Sequence, residues 1–336
     1  MKKNLLLLFL SFAIPYVLVE TAFRINGKYM SYNERTESGS YVSPFDTGDD
    51  GWIFTYRPFA KIEDIKSEFA TSWIANNEGL HDKNIPINKT GRRILVFGDS
   101  FTEGAGAPND SAYPRILENL LRANCDSAME VINCGTSSSD IFFEYYLLKL
   151  KMLKYQPDFV LVTINSSDYY DFIIRGGFKR FADNNQLKYR SAPWFEPLYA
   201  HSYLVRRIVH DVYGYDYAFL QPDERTLVLG QAEKEMAAVI DSFQYLCNAY
   251  KIKLGFIFHP IQAEIMFSES YQRDKLMKHC KDSEIAFADE LPFLNRHGID
   301  RSNCQKISWP VDGHFNSKGY ELLAQCAYEF IKKQNW

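Results

Sequence analysis

Close cysteine pairs are missing from this sequence. Cys125, Cys134, Cys247, Cys280, Cys304 and Cys326 lie far apart, without the short spacings that hold a structural zinc ion. That removes zinc modules from consideration. Cys134 and Cys247 stand in apolar settings and read as buried free thiols, although an oxidising compartment would permit bridges. A basic stripe is missing too: 38 Lys and Arg against 42 Asp and Glu leave a formal charge of −4, so the electrostatic footprint of a nucleic-acid binder is absent. No internal repeat and no low-complexity tract interrupts the 336 residues, and 46% hydrophobic content is enough for a sizeable core, which argues against disorder.

What is present begins at the amino terminus, MKKNLLLLFLSFAIPYVLVETAF. Lys2 and Lys3 precede an apolar run from Leu5 to Val19 that only Ser11 and Pro15 break. Such a run is an export signal or a membrane anchor. No small-x-small cleavage site follows, Glu20 beside Ala22 is a poor substitute, and no lipid-accepting cysteine lies near the end of the run. The expectation is an uncleaved anchor over residues 1–23, with the lysines cytoplasmic and the body outside. A cleaved signal peptide, giving a secreted protein, is the alternative.

Residues 24–90 are mixed and turn-rich, and read as an irregular cover. Over 91–336 strand-like and helix-like runs alternate. Arg93–Phe97, Glu130–Asn133, Phe159–Ile164, Leu254–Phe258 and Ile285–Ala288 are strand-like, while helices are expected near Tyr113–Ala123, Asp140–Tyr155, Gly230–Tyr250, Ser268–Lys281 and Ser317–Lys333. Alternation of this kind implies a parallel sheet, and right-handed crossovers make it a three-layer α/β/α sandwich. One interval departs from the pattern. Residues 169–229 carry Tyr169, Tyr170, Phe178, Phe181, Trp194, Phe195, Tyr199, Tyr203, Tyr213 and Tyr217, and read either as a substrate wall at the carboxyl edge of the sheet or as a packing subdomain.

The first of the strands runs into the stretch RRILVFGDSFTEGAG. Ser100 therefore stands at the carboxyl end of a buried strand, where open α/β sheets bind ligands. A helix N-cap formed by Asp99, Ser100 or Thr102 is the plain alternative. A nucleophilic serine needs a base, and WPVDGHFNSKGY offers one. In an extended segment Asp312 and His314 point to the same side, so the carboxylate can orient the imidazole. Ser100 as nucleophile, His314 as general base and Asp312 as its partner make a triad. His259 before Pro260, and Arg175 with Gly176 and Gly177, are lesser candidates for touching substrate, with structural roles as their alternatives. Asp99 reads as a structural acceptor for the tight turn.

Four blocks in order carry a resemblance: Gly98-Asp99-Ser100-Phe101-Thr102, Val131-Ile132-Asn133-Cys134-Gly135, Thr163-Ile164-Asn165-Ser166-Ser167-Asp168 and Asp312-Gly313-His314-Phe315-Asn316. With them the chain resembles the SGNH, or GDSL-type, hydrolases. The resemblance implies a flavodoxin-like sheet and a serine esterase that works through an acyl-enzyme with no metal or organic cofactor. It also implies an oxyanion hole built from the backbone N–H groups of Ser100 and Gly135 and a side chain of the third block. Two departures mark this chain: one residue rather than two separates Asp312 from His314, and Ser167 stands where the family has its asparagine. Asn165, two positions earlier, is the expected side-chain donor, with Ser167 as the alternative. An O-acyl group of an envelope glycan or a lipid ester is the substrate class that an anchored enzyme suggests. Acyl transfer to a sugar hydroxyl, and a catalytically silent glycan-binding or scaffold protein, are the rival functions. Beyond the membrane no partner is indicated.

Overall fold

Runs of β-branched and apolar residues too short for a helix fill buried strands when both faces of a sheet are covered. Such runs form the core of a five-stranded sheet in the computed structural model, which describes residues 2–26, 55–137, 139–169, 172, 198, 202–208, 222–267 and 271–335. In chain order the described elements begin with α1 (Lys2–Asn26), β1 (Lys61–Ile65), β2 (Ala70–Ile74) and β3 (Arg93–Phe97). They continue with α2 (Ser100–Glu103), α3 (Tyr113–Asn124), β4 (Glu130–Asn133), α4 (Ile141–Leu147) and β5 (Phe159–Ile164). After α5 (Tyr203–Arg207) and α6 (Pro222–Tyr250) come β6 (Lys253–Phe258), α7 (Gln262–Phe267), α8 (Tyr271–Asp282), β7 (Phe287–Asp289), α9 (Glu290–Arg296) and α10 (Ser317–Lys333). Among them, α1 and α5 fall in one compact unit and the sheet with its helices in another.

The sheet is parallel throughout, in the order β4-β3-β5-β6-β7. Numbered along the chain this is 2-1-3-4-5, the flavodoxin-like order, with its switch point between β3 and β5. Every residue of β3, β4 and β5 is buried. On one face Ile94, Val96, Leu161 and Ile257 share a core with Leu117 and Leu121 of α3 and Leu323, Ala327 and Phe330 of α10. On the other, Phe97 and Phe256 meet Phe243 of α6 with ring centroids 6.4 and 6.1 Å apart. The three layers expected from the alternation are therefore in place, each buried Leu or Ile contributing about 1.5–3 kcal/mol. The helices start where a short polar side chain closes the first turn: Asp140 accepts from Phe142 and Phe143 N–H, and Asn316 from Lys318 and Gly319 N–H.

Four details differ from the sequence expectations. The cover is not wholly irregular, because β1 and β2 pair as an antiparallel hairpin. The helix expected over 140–155 is α-helical only to Leu147, widens to a π-turn over Leu148–Met152 and tightens over Leu153–Tyr155. The last strand lies at Phe287–Asp289, and α6 begins at Pro222, eight residues ahead of the expected start. Pro222 with Asp223 and Glu224 is a helix start signal that the nearby run Leu227-Val228-Leu229, strand-like in isolation, conceals. Most of the aromatic interval, including Tyr170, Phe178, Phe181, Trp194, Phe195, Tyr199, Tyr213 and Tyr217, lies outside the described residues, as do Arg175, Gly176 and Gly177. Tyr169 and Phe172 are buried.

In the other unit, α1 is long and apolar enough to cross a membrane, and its side chains from Leu6 to Leu18 are largely exposed. Glu20 is a buried polar residue of this helix and accepts hydrogen bonds from Ser202 Oγ (2.9 Å), Tyr203 N–H (2.8 Å) and Leu204 N–H (3.1 Å). Arg24, one turn on, pairs with the same carboxylate at 3.0 Å and lies 5.3 Å from the Tyr203 ring centroid.

Candidate active site

β3 delivers Gly98 and Asp99 to the carboxyl edge of the sheet, and α2 begins at once with Ser100. Gly98 is required there: a Cβ would lie 2.0 Å from Thr102 Oγ1 and 2.6 Å from Thr163 Oγ1. Asp99 Oδ1 accepts from Phe101 N–H at 2.9 Å and so sets the first turn, the structural role expected of it. The next strand brings the second block alongside. Gly135 approaches α2 so closely that a Cβ would lie 2.2 Å from Glu103 N and 2.5 Å from Thr102 C. Asn133 ties the two together, its Nδ2 donating to Glu103 O (3.3 Å) and its Oδ1 accepting from Gly135 N–H (2.9 Å).

The terminal block meets Ser100 across the edge. Ser100 Oγ lies 2.7 Å from His314 Nε2, and His314 Nδ1 lies 2.5 Å from Asp312 Oδ1. With Nδ1 protonated, the imidazole donates to the carboxylate and accepts from the serine hydroxyl. Ser100, His314 and Asp312 are thus brought together, but not by an extended segment. Trp309 N–H donates to His314 O (2.8 Å), Gly313 N–H to Trp309 O (2.8 Å), and Gly313 has φ +90°, so the chain turns between Trp309 and His314. The turn, and not strand alternation, aims Asp312 at the ring. Burial opposes the charge of Asp312, but the hydrogen bonds and charge of His314 outweigh it and hold the carboxyl below its usual range. Phe101 packs between the two histidines, its ring 4.8 Å from that of His314 and 4.7 Å from that of His259.

The third block is placed differently from the expectation. Asn165 is wholly buried. Its Nδ2 donates to Asp99 Oδ2 (2.9 Å) and lies 3.1 Å from His259 Nε2, so both amide hydrogens face groups inside the protein. Its Oδ1 accepts from Ser167 N–H (2.7 Å) and Ser167 Oγ (2.5 Å). An extended strand would have aimed Asn165 outward, but the chain leaves β5 at Ile164 and turns, with Asp168 Oδ2 accepting from Asn165 N–H at 2.7 Å. Ser167 is half-buried, its Oγ also 3.2 Å from Asp99 Oδ2. Of the backbone donors, Gly135 N–H already reaches Asn133 Oδ1, while Ser100 N–H has no acceptor among the described residues. His259 is a structural residue in this arrangement: fully buried behind Phe101, with burial pushing its imidazole down to about 4.

Two carboxylates that sequence reasoning passed over stand beside the triad. Glu103, in α2, accepts from Ser137 N–H (3.2 Å) and from the Ser137 hydroxyl, and burial pushes its carboxyl up to about 7 against those bonds. Glu68, in the turn of the β1–β2 hairpin, accepts from Val311 N–H (2.9 Å) and Asp312 N–H (2.8 Å). No short motif marks either of them. All six cysteines are free, Cys125 exposed and the others buried, and the described residues hold no cluster of three or more His, Cys, Asp or Glu placed to bind a metal.

No family model and no curated protein matches the chain. Among solved structures it is similar to a two-domain esterase active on acetylated mannans, crystallised with mannopentaose (12% identity, TM-score 0.40, covering 72% of this chain and 49% of that one). It is similar also to the psychrotrophic esterase EstA from Pseudoalteromonas sp. inhibited by monoethylphosphonate (12%, TM-score 0.42, covering 73% and 98%). A third is a catalytic mutant of Axe2, an acetylxylan esterase from Geobacillus stearothermophilus (14%, TM-score 0.44, covering 73% and 96%). The chain spans about half the length of the two-domain esterase. In its four ordered sequence blocks and its 2-1-3-4-5 parallel sheet, the chain resembles the SGNH, or GDSL-type, hydrolases.

Proposed function

We propose that this chain is a serine esterase that releases an acyl group from a hydroxyl through an acyl-enzyme. The observation that carries the reading is the continuous line of Ser100 Oγ, His314 Nε2, His314 Nδ1 and Asp312 Oδ1, at 2.7 and 2.5 Å. In this reading Ser100 Oγ attacks the ester carbonyl as His314 takes its proton, and the imidazolium, held by Asp312, returns that proton to the leaving alkoxide. Water then enters, His314 activates it, and the acid departs with Ser100 restored. The oxyanion is received by Ser100 N–H, which has no acceptor among the described residues, and by Gly135 N–H, which exchanges Asn133 Oδ1 for the substrate oxygen.

The same proposal sets the chain in a membrane through α1, with the body on the extracytoplasmic side. Lys2 and Lys3 before the apolar run support the orientation. The three hydrogen bonds and the ion pair on Glu20 support a retained anchor over a cleaved leader, because a carboxylate engaged in this way makes α1 part of the mature fold. An O-acyl group of a surface glycan or a lipid ester is the substrate class that such a location favours.

Labelling with a fluorophosphonate, followed by a panel of esters with and without sugar acceptors, tests the reading. Wild type is expected to label and to hydrolyse, and Ser100→Ala to do neither. Full labelling of Ser100→Ala refutes the nucleophile, transfer in preference to hydrolysis makes the chain an acyltransferase, and an unlabelled wild type makes it a silent scaffold. A mature amino terminus beyond Ala22 replaces the anchor with a signal peptide.

A further inference from the structure

The acid–base turn is thinly supported by its own backbone. Within Trp309–His314 the described backbone–backbone bonds are the two that close the turn, His314 N–H adds only a long bond of 3.4 Å to Asp312 Oδ1, and Val311 at the tip is 79% exposed. Yet Asp312 must hold its carboxylate within hydrogen-bond reach of His314 Nδ1. Where reacting groups are aligned by loops, a displacement of 1 Å lowers rate by about 10²-fold.

The missing support comes from the β1–β2 hairpin. Glu68 Oε2 accepts from Val311 N–H and Asp312 N–H at 2.9 and 2.8 Å, the described acceptor for both. The next residue, Phe69, is buried against Trp309 with ring centroids 5.6 Å apart. Trp309 Nε1 in turn donates to Gly106 O at 3.0 Å, in the loop that follows the nucleophile helix. Gly106 leaves room for this contact, since a Cβ there would lie 2.6 Å from Trp309 Nε1 and 3.1 Å from Phe69. One hairpin turn therefore grips the acid–base turn directly and the serine loop through an indole. Lys66, in the same turn, bears on Asp312 with opposite charge.

We propose that Glu68 is a positioning residue for the esterase reaction, holding the Asp312 backbone so that its carboxylate meets His314. The inference rests on the proposed triad. It assigns Glu68 the role of an acceptor at fixed reach, not that of a charge. Gln at this position keeps both the reach and an oxygen, whereas Asp keeps the charge and falls short by a methylene.

The test compares full-length Glu68→Ala, Glu68→Gln and Glu68→Asp in detergent by kcat, KM and fluorophosphonate labelling rate. The downfield proton resonance of the His314 Nδ1–H is followed alongside. Glu68→Ala is expected to lower kcat and labelling about 10–100-fold with KM within about twofold, and to broaden or shift the resonance. Glu68→Gln is expected within about threefold of wild type, and Glu68→Asp closer to alanine. If Glu68→Ala does not fold, the order of Gln and Asp decides alone. Wild-type kcat and resonance in Glu68→Ala, or Asp outperforming Gln, overturns the proposal. An unlabelled, inactive wild type overturns the esterase reading instead, and the resonance then still decides whether Glu68 sets the His314–Asp312 pair.

Discussion

Replacing Asn165 by alanine separates two roles that one residue type can play at the edge of this sheet. The native carboxamide makes bonds to Asp99, Ser167 N–H and Ser167 Oγ and faces His259, with no exposed surface. Alanine leaves Ser167 N–H without its acceptor, and leaves Asp99 Oδ2 with the Ser167 hydroxyl alone as donor. A stranded polar group costs about 1–3 kcal/mol, and the weakened bond and the void add to it, so about 2–5 kcal/mol is expected in all. That is a large part of the stability of a typical domain, about 5–15 kcal/mol. Urea unfolding in detergent, followed by tryptophan fluorescence with slopes compared, measures the loss. Ser167→Ala removes only a half-buried hydroxyl, and about 1 kcal/mol is expected. An oxyanion donor behaves in the opposite way: kcat falls about 10²–10³-fold while folding is untouched. If Asn165→Ala unfolds at the wild-type urea concentration and still loses 100-fold in kcat, the buried arrangement does not describe the working enzyme.

Gly135→Ala places a Cβ 2.2 Å from Glu103 N, so α2 must move; kcat is expected to fall at least about 10²-fold with a smaller effect on stability, and wild-type turnover would show that the close approach is dispensable. The Glu103 carboxyl, at about 7 in the folded chain against 4.5 as the ordinary value, binds its proton more tightly folded than unfolded. The stability this confers is complete below about 4.5 and is lost as pH rises through 7, so wild type is expected to weaken by about 3 kcal/mol between pH 4 and 8 relative to Glu103→Gln. Parallel pH–stability curves for the two proteins would refute the buried-proton assignment.

The central strands were legible because nothing competes with their pattern. Ile94–Phe97 and Phe159–Val162 are apolar without a break, which only a strand covered on both faces tolerates in so short a run. The hairpin was not legible, since KIEDI and ATSWI each bury one residue fully and show no clear alternation. Ser100, Asp312 and His314 were legible as residue types in order, but the turn that joins the last two rests on Gly313 and on a carboxylate more than two hundred positions away. Asn165 misled because spacing along a strand says nothing of where the strand ends. The buried Asp99 drew it inward, a contact between parts of the chain 66 positions apart.

Ser100 and His314 meet across 214 positions, with the other four strands of the sheet laid down between them. A ribosome therefore finishes the serine long before the imidazole exists. Among the described residues no neighbouring stretch supplies a substitute, because His259 at this edge is sealed behind Phe101. On the proposed mechanism, any chain that stops short of His314, whether nascent or clipped, carries an ordinary alcohol in place of a nucleophile. On that mechanism reactivity comes only with a completed sheet, so a single contact between distant parts of the chain reports both folding and competence.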